Sequence, residues 1–366
     1  MLFIQTYYRM KIYAFHLLND YSGSPKVLMQ LVKGWIKNDI SVHLVTSSGR
    51  NGFLSNIPGT TYHYFWYKWA ANPVLRLCNL ILSQILLFFT LYSKVTKEDI
   101  IYVNTILPFG AAFLGKLKGC KIVYHIHETT VKPAIFKKFV FGIAKLMAND
   151  VIYVSKFLSK QEHFKSSKVH VLYNAIEQKY LEKAIENRRK TITPCKVLMV
   201  CSLKKYKGVQ EYLSLAEDNP QYQFRLVLNA SKEDIAVFFT NNSLSSNIKI
   251  YDTQLDLHPF YKWADVILNL SRPDGWVETF GLTIIEGMAY GLPAIVPPVG
   301  GITELVVENK NGFLVDCRDR ALLNKKLNQL LENKKTYSKM TAVSIEKINA
   351  FSEELFVQNS LAILSA

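Results

Sequence analysis

Two glutamates, Glu278 and Glu286, stand on either side of Thr279-Phe280-Gly281-Leu282, a segment that reads as the start of a helix. A helix N-terminus offers unpaired backbone N–H groups and the positive end of the macrodipole, which together bind phosphate. Carboxylates beside it accept hydrogen bonds from sugar hydroxyls. Diphosphate plus hydroxyls is the description of a nucleotide sugar. Surface helices supply glutamate pairs at this spacing constantly, so the pair alone carries little. Its weight comes from an ordered set of features between Ser271 and Asp316: Phe280-Gly281-Leu282, Glu286, Ala289-Tyr290-Gly291-Leu292-Pro293, Gly300-Gly301 and Glu304-Leu305.

In that order and spacing the segment resembles the donor-binding signature of the retaining family 4 (group 1) glycosyltransferases of the GT-B fold. The resemblance implies roles. Glu278 would contact the donor sugar's hydroxyls and stabilise positive charge at the anomeric centre, and Glu286 would hold the ribose. Backbone N–H groups around Thr279, Phe280, Gly281 and Leu282 would meet sugar and phosphate. Retention would follow from front-face attack, the departing phosphate taking the acceptor proton. The rule that links carboxylate separation to stereochemistry in glycoside hydrolases does not apply to this pair.

Sugar transfer also needs the leaving diphosphate neutralised and the acceptor hydroxyl placed. No Asp-x-Asp motif precedes the donor segment, so a metal-independent solution without cofactor is expected. Cys201-Ser202-Leu203-Lys204-Lys205-Tyr206-Lys207-Gly208 follows a strand pattern and opens a helix. It resembles the family's Gly-Arg-Leu…Lys-Gly loop, whose Arg and Lys grip the diphosphate. Lys207 matches the Lys; Ser202 stands at the Arg position, which leaves Lys204 or Lys205 to supply the missing contact. Ser22-Gly23-Ser24-Pro25 corresponds to the family's Gly-rich first loop, with Gly23 placed for close backbone approach and Ser22 beside it. It is not Gly-x-Gly-x-x-Gly, which weakens a dinucleotide-dehydrogenase reading. His127, followed by Glu128, matches a strand-end His near the reacting sugar, and His125 lies two residues back on the same face. Ala175, in Asn174-Ala175-Ile176-Glu177, replaces a usual Gly and argues for a structural role there; Ser155 is a weaker match.

The chain has 366 residues, 49% hydrophobic and 13% aromatic, more than one core usually organises. Strand and helix patterns alternate, the mark of parallel α/β domains. Strands are expected at 11–17, 41–46, 100–104, 121–125, 151–154 and 170–173, and again at 196–201, 223–228, 248–251, 266–269 and 294–296. The first helix is expected from Pro25 to Lys37 with Ser24 as its cap. The reading is α/β: two Rossmann-like domains whose parallel sheets face a central cleft, residues 1–178 on the acceptor side and 195–350 on the donor side. The polar, basic stretch from Gln178 to Pro194 reads as the connection. By resemblance, a helix over 351–366 crosses back to the first domain.

Charge is lopsided: residues 1–180 hold 22 Lys+Arg and 8 Asp+Glu, whereas the whole chain is only +15. Basicity concentrated in one domain suggests an anionic partner. No nucleic-acid motif appears, and aromatic and apolar residues accompany the charge, so an anionic membrane face fits better. The run Tyr62-His63-Tyr64-Phe65-Trp66-Tyr67-Lys68-Trp69 has the composition of an interfacial belt. Leu77 to Tyr92 is apolar for 16 residues, short of a span, and reads as a buried or interfacial helix. Met10 reads as the natural start, and no signal peptide is expected. Cysteines 78, 120, 195, 201 and 317 lack metal-ligand spacing and read as buried thiols.

These features lead to a transferase on the cytoplasmic membrane face. It would move a hexose from UDP or GDP to a saccharide or polyprenyl-linked acceptor, in capsule, lipopolysaccharide or other polysaccharide synthesis. A nucleotide-sugar epimerase of the same fold, or an inactive membrane-bound sugar-binding scaffold, is the alternative.

Overall fold

The computed structural model describes residues 11–189, 193–240 and 244–366, so the expected start at Met10 lies outside it. The chain forms two compact units: residues 11–174 together with 353–366, and residues 175–352.

The first unit is built on seven parallel strands: β1 (Lys11–His16), β2 (Ser41–Ser47), β3 (Thr60–Phe65), β4 (Ile100–Asn104), β5 (Lys121–Ile126), β6 (Asp150–Tyr153) and β7 (Lys168–Val171). Their order is β3-β2-β1-β4-β5-β6-β7. Tyr13 of β1 stands opposite His43 on one side and Ile101 on the other. Strands buried on both faces read as unbroken apolar runs, and Ile12–Phe15 and Ile100–Val103 are buried throughout. The chain runs outward from β1 to β2 and β3, then returns to β4 on β1's other side. The order thus reverses between β1 and β4, where open α/β sheets hold their ligands beyond the strands' carboxyl ends.

Helix α1 (Gly23–Lys37) starts two residues before the expected Pro25. Ser24 is therefore inside the helix, and Ser22 is the cap residue, its hydroxyl bonded to Asp20. Helix α2 (Pro73–Tyr92) starts four residues before the apolar run, because the Asn72 side chain accepts from the Val74 and Leu75 amides and Pro73 takes the first helical position. At 20 residues, with mean hydropathy 1.9 over an 18-residue window, it has the length of a span, contrary to the expectation, and 28% of that window is buried. Helices α3 (Phe109–Lys118) and α4 (Ala134–Met147) follow β4 and β5. The C-terminal helix, Glu353–Ser365, packs on α1: the Trp35 indole donates to Ser360 Oγ at 3.0 Å. Gly34 meets Val357 so closely that a Cβ there would lie 2.3 Å from a Val357 methyl.

β3 was not anticipated. Part of the aromatic run is this edge strand, with Phe65 buried and the Tyr62 hydroxyl both donating to Leu54 O and accepting from Ile57 N.

The second unit holds β8 (Lys196–Ser202), β9 (Gln223–Asn229), β10 (Ile248–Tyr251), β11 (Val266–Leu268), β12 (Ala294–Val296) and β13 (Gly312–Leu314). Their order, β10-β9-β8-β11-β12-β13, reverses between β8 and β11. Strand β13, at the edge of the sheet, was also missed. Its first residue must be Gly, since a Cβ at Gly312 would lie 2.0 Å from the Ala294 carbonyl oxygen. Helices α5 (Gln178–Glu186), α6 (Val209–Asp218) and α7 (Leu282–Ala289) complete what the site requires. The stretch expected as a connection is thus largely helix. Beyond α5, Arg188 donates to Ala289 O, and Arg189 to Lys262 O, Trp263 O and Asp265, all within this unit.

Among the described residues no disulfide is present. Cys120 and Cys317 are buried and Cys195 and Cys201 partly so, but Cys78, expected to be buried, is exposed on α2.

Candidate active site

Beyond the carboxyl ends of β8 and β11, two loops meet. The first turns through a short 3-10 helix, Lys205–Lys207, and enters α6 at Gly208. Gly208 has φ 75°, and a Cβ there would lie 2.1 Å from the Leu270 carbonyl oxygen, so this approach of the two loops admits only glycine. The second loop runs from Asn269 to α7, and Arg272 N donates to Tyr206 O at 2.7 Å. Glu278 lies in this second loop. Lys207 Nζ is 2.5 Å from Glu278 Oε1, which also accepts from Ser271 Oγ at 2.6 Å and Asn269 Nδ2 at 3.3 Å. The ammonium also lies 5.3 Å from the centroid of the Trp276 ring, itself stacked on Tyr206.

Burial by itself would raise the Glu278 carboxyl. The Lys207 charge and the hydrogen bonds from Lys207, Ser271 and Asn269 outweigh it and hold the group below the ordinary carboxylate range. The backbone of Glu278 is fixed as well. Gly301 N donates to its carbonyl at 2.8 Å, and a Cβ at Gly300, whose φ is 109°, would lie 2.4 Å from that oxygen. The Gly300-Gly301 pair is therefore a brace for the Glu278 loop.

Thr279 and Leu282 are half-buried at the entry to α7, Gly281 is its N-cap, and Phe280 turns inward, edge-on to Phe351. Glu286 lies farther along α7, buried, and accepts from the Tyr261 hydroxyl at 2.8 Å. Tyr261 stacks with Tyr290, and His258 Nδ1 is 2.5 Å from the Tyr290 hydroxyl. Lys204 and Lys205 stand exposed on the turn, and neither is among the groups that hydrogen-bond Glu278.

The first unit gathers a second cluster at its own reversal point, between β1 and β4. His127 follows β5, and its Nε2 lies 2.9 Å from Asn104 Oδ1, the end of β4. Asn104 Nδ2 donates to Ser24 O at 3.1 Å, in the first turn of α1, and lies 3.0 Å from His16 Nδ1, the end of β1. One fully buried amide thus joins the first turn of α1 to His127. Burial lowers His16 to about 4, against a hydrogen bond to the Asn104 carbonyl that raises it, and lowers His125 to about 3. His127 is lowered well below the ordinary value by burial and by its neighbours His125 and His16. Burial raises Glu128 to about 7, against amide bonds from His127 and Ile106. Thr105, next to Asn104, has φ 73°, which a β-branched residue adopts only under constraint; its amide donates to His125 O at 2.8 Å. Ser155 is a helix cap, accepting from Leu158 N at 3.2 Å.

Asn269, Ser271, Asn104 and His16 escaped the sequence reading. Their one signal was position: polar residues at or just past the carboxyl ends of apolar strands.

Two Rossmann-like units, each with polar side chains gathered where its strand order reverses, define the GT-B class of fold. The family model described as "Glycosyl transferases group 1" matches residues 181–346, and "Glycosyltransferase Family 4" matches residues 21–180. The chain belongs to this family of glycosyltransferases. It is 26% identical over 266 residues to N-acetyl-alpha-D-glucosaminyl L-malate synthase of Bacillus anthracis, covering 66% of this chain and 68% of that one. It is 35% identical over 99 residues to the probable sucrose-phosphate synthase 5 of Oryza sativa subsp. japonica, covering 27% of this chain and only 10% of the rice protein. The fold is shared with Anabaena Alr3699/HepE, solved with UDP and glucose, at TM-score 0.80 and 19% identity over 98% of this chain and all of that one.

Proposed function

We propose that this glycosyltransferase moves a hexose from a UDP- or GDP-sugar to a saccharide or polyprenyl-linked acceptor at the inner membrane face, with retention and without a metal. The observation that carries the reading is the Lys207–Glu278 pair, seated where the second sheet's order reverses and beside the start of α7. The UDP and UDP-glucose held by the Anabaena relative agree with it.

A donor diphosphate offers Lys207 a stronger partner than one carboxylate. As the ammonium turns to the phosphates, Glu278 is released toward the sugar while Ser271 and Asn269 keep it ionised. The first-turn amides of α7 add positive potential at the leaving group. Glu286, steadied by Tyr261, takes ribose hydroxyls. The bond from the anomeric carbon to the phosphate oxygen breaks, the acceptor oxygen bonds that carbon on the same face, and the acceptor proton passes to the phosphate.

Thermal-shift titration across UDP-, GDP- and dTDP-sugars, followed by NMR of the product's anomeric proton, tests this. One donor should raise Tm, the product should keep the donor's configuration, and Glu278→Gln should lower turnover by about 10²–10³-fold. No stabilisation by any nucleotide sugar, or unchanged turnover in Glu278→Gln, would overturn it.

A further inference from the structure

Helix α2 is apolar on both sides. Its inward stripe seats Leu80, Leu87 and Leu91 together with two buried polar side chains, Ser83 and Gln84, and Gln84 Oε1 accepts from Gly110 N at 3.0 Å in the first turn of α3. Asn79 likewise bonds back to the chain, donating to Lys68 O. The outward stripe is apolar along the helix: Val74, Leu75, Ile81, Leu82, Ile85 and Phe89 are all exposed, Val74 by 71% and Phe89 by 69%. The helices packed beside it, α3 on α2 and α4 on α3, also carry exposed apolar side chains. Phe113 and Leu117 stand out from α3, and Ile135, Phe139 and Leu146, at helical spacing, from α4. Contiguous apolar surface on this scale marks a binding face.

Charge selects the occupant. Helices α2, α3 and α4 contain no acidic residue, but carry Arg76, Lys116, Lys118, Lys137, Lys138 and Lys145. Glu162 pairs with Lys137 and Lys145, whereas Lys118 lies 4.0 Å over the Tyr92 ring at the rim and Arg76 near Trp69. A second protein copy would bring the same positive sign to this face. An anionic bilayer brings the opposite sign, apolar depth and an interface suited to Trp66 and Trp69.

Topology settles how the helix would lie. Although α2 has the length of a span, β3 and β4 at its two ends belong to one parallel sheet. A crossing would put strands of that sheet on opposite sides of the membrane. α2 is also seated flush on α3, since a Cβ at Gly110 would lie 2.6 Å from the Gln84 carbonyl oxygen.

We infer that the outer faces of α2, α3 and α4 form a docking surface for an anionic bilayer, with α2 lying flat in the headgroup region. This deepens the membrane placement proposed above and is independent of the sugar chemistry.

Flotation of the full chain with phosphatidylcholine vesicles, with and without phosphatidylglycerol, tests it. The protein should float with the anionic vesicles and far less with the neutral ones. Leu82→Ser/Ile85→Ser/Phe89→Ser, all at exposed positions, should keep the parent's circular dichroism and lose roughly tenfold or more in partitioning. Lys116→Glu/Lys138→Glu should abolish the preference for anionic vesicles. Glu278→Gln should float like the parent, so a failed donor reading would leave this one standing. Equal flotation of the serine variant would overturn the proposal. So would light scattering that shows the parent as a dimer which the serine variant makes monomeric.

Discussion

The two sheets end in clusters of opposite electrical character. At the reversal point of the second sheet, the site is a charged pair, Lys207 with Glu278, kept ionised by two neutral donors. At the reversal point of the first, burial strips the charge from three histidines, and one amide links two of them, His16 and His127. The same topology has therefore produced an electrostatic clamp in one unit and an uncharged hydrogen-bonding lattice in the other. A diphosphate needs the first kind of surface. A hydroxyl that must be oriented without being ionised suits the second.

The sharpest way to break this contrast is to remove one charge of the pair. Lys207→Met leaves Glu278 without its cation in a shielded place, which should cost about 3–5 kcal/mol in urea unfolding. Adding Glu278→Gln to it should restore most of that loss. If the double variant is as unstable as the single one, the pair is not what holds these loops.

In the first unit the corresponding change is Asn104→Ala, which takes the partner from His127 Nε2 and the Ser24 carbonyl at once. About 1–3 kcal/mol should be lost for a group left unsatisfied. Asn104→Asp is more discriminating. A carboxylate beside His127 should raise the imidazole and shift the acid limb of the transfer rate to higher pH, which a purely structural role would not do.

Acid gives the mildest test. A histidine lowered in the fold takes up its proton in the unfolded chain first, so stability present at pH 7 is lost as pH falls below about 6.5. His16, lowered to about 4, should forfeit about 2 kcal/mol by pH 5. His125 and His127 act in the same direction. Glu128, raised to about 7, binds its proton earlier in the fold and opposes them as pH falls from 7 toward its unfolded value. Glu278, lowered, gives up its contribution only below the ordinary carboxylate range. Hydrogen exchange, corrected for intrinsic rates, should therefore loosen at β4 and β5 by pH 5 while β8 and β11 hold. Glu128→Gln should steepen the loss.

Most of the fold could be read from the chain because central parallel strands are continuous apolar runs; β4 and β12 fall where that pattern puts them. Edges are harder. Thr60–Phe65 alternates aromatic and polar residues, so composition suggests a membrane belt where the structure has an edge strand. The early start of α2 is written in Asn72-Pro73, a cap followed by a first-turn proline, which lies outside the apolar run itself. Within the site, Lys207 and Glu278 were legible because each sits in a dense local motif. Asn104 was not, since its partners His16 and Ser24 lie 88 and 80 residues away in the chain and are brought to it by strand pairing.

The seating of the C-terminal helix on α1 also sets a schedule. The Trp35 indole donates to Ser360, and Gly34 packs against Val357. A nascent chain emerging from the ribosome cannot close its first-made unit until those late residues are free of the exit tunnel. The later-made unit, continuous from 175 to 352, can be finished sooner.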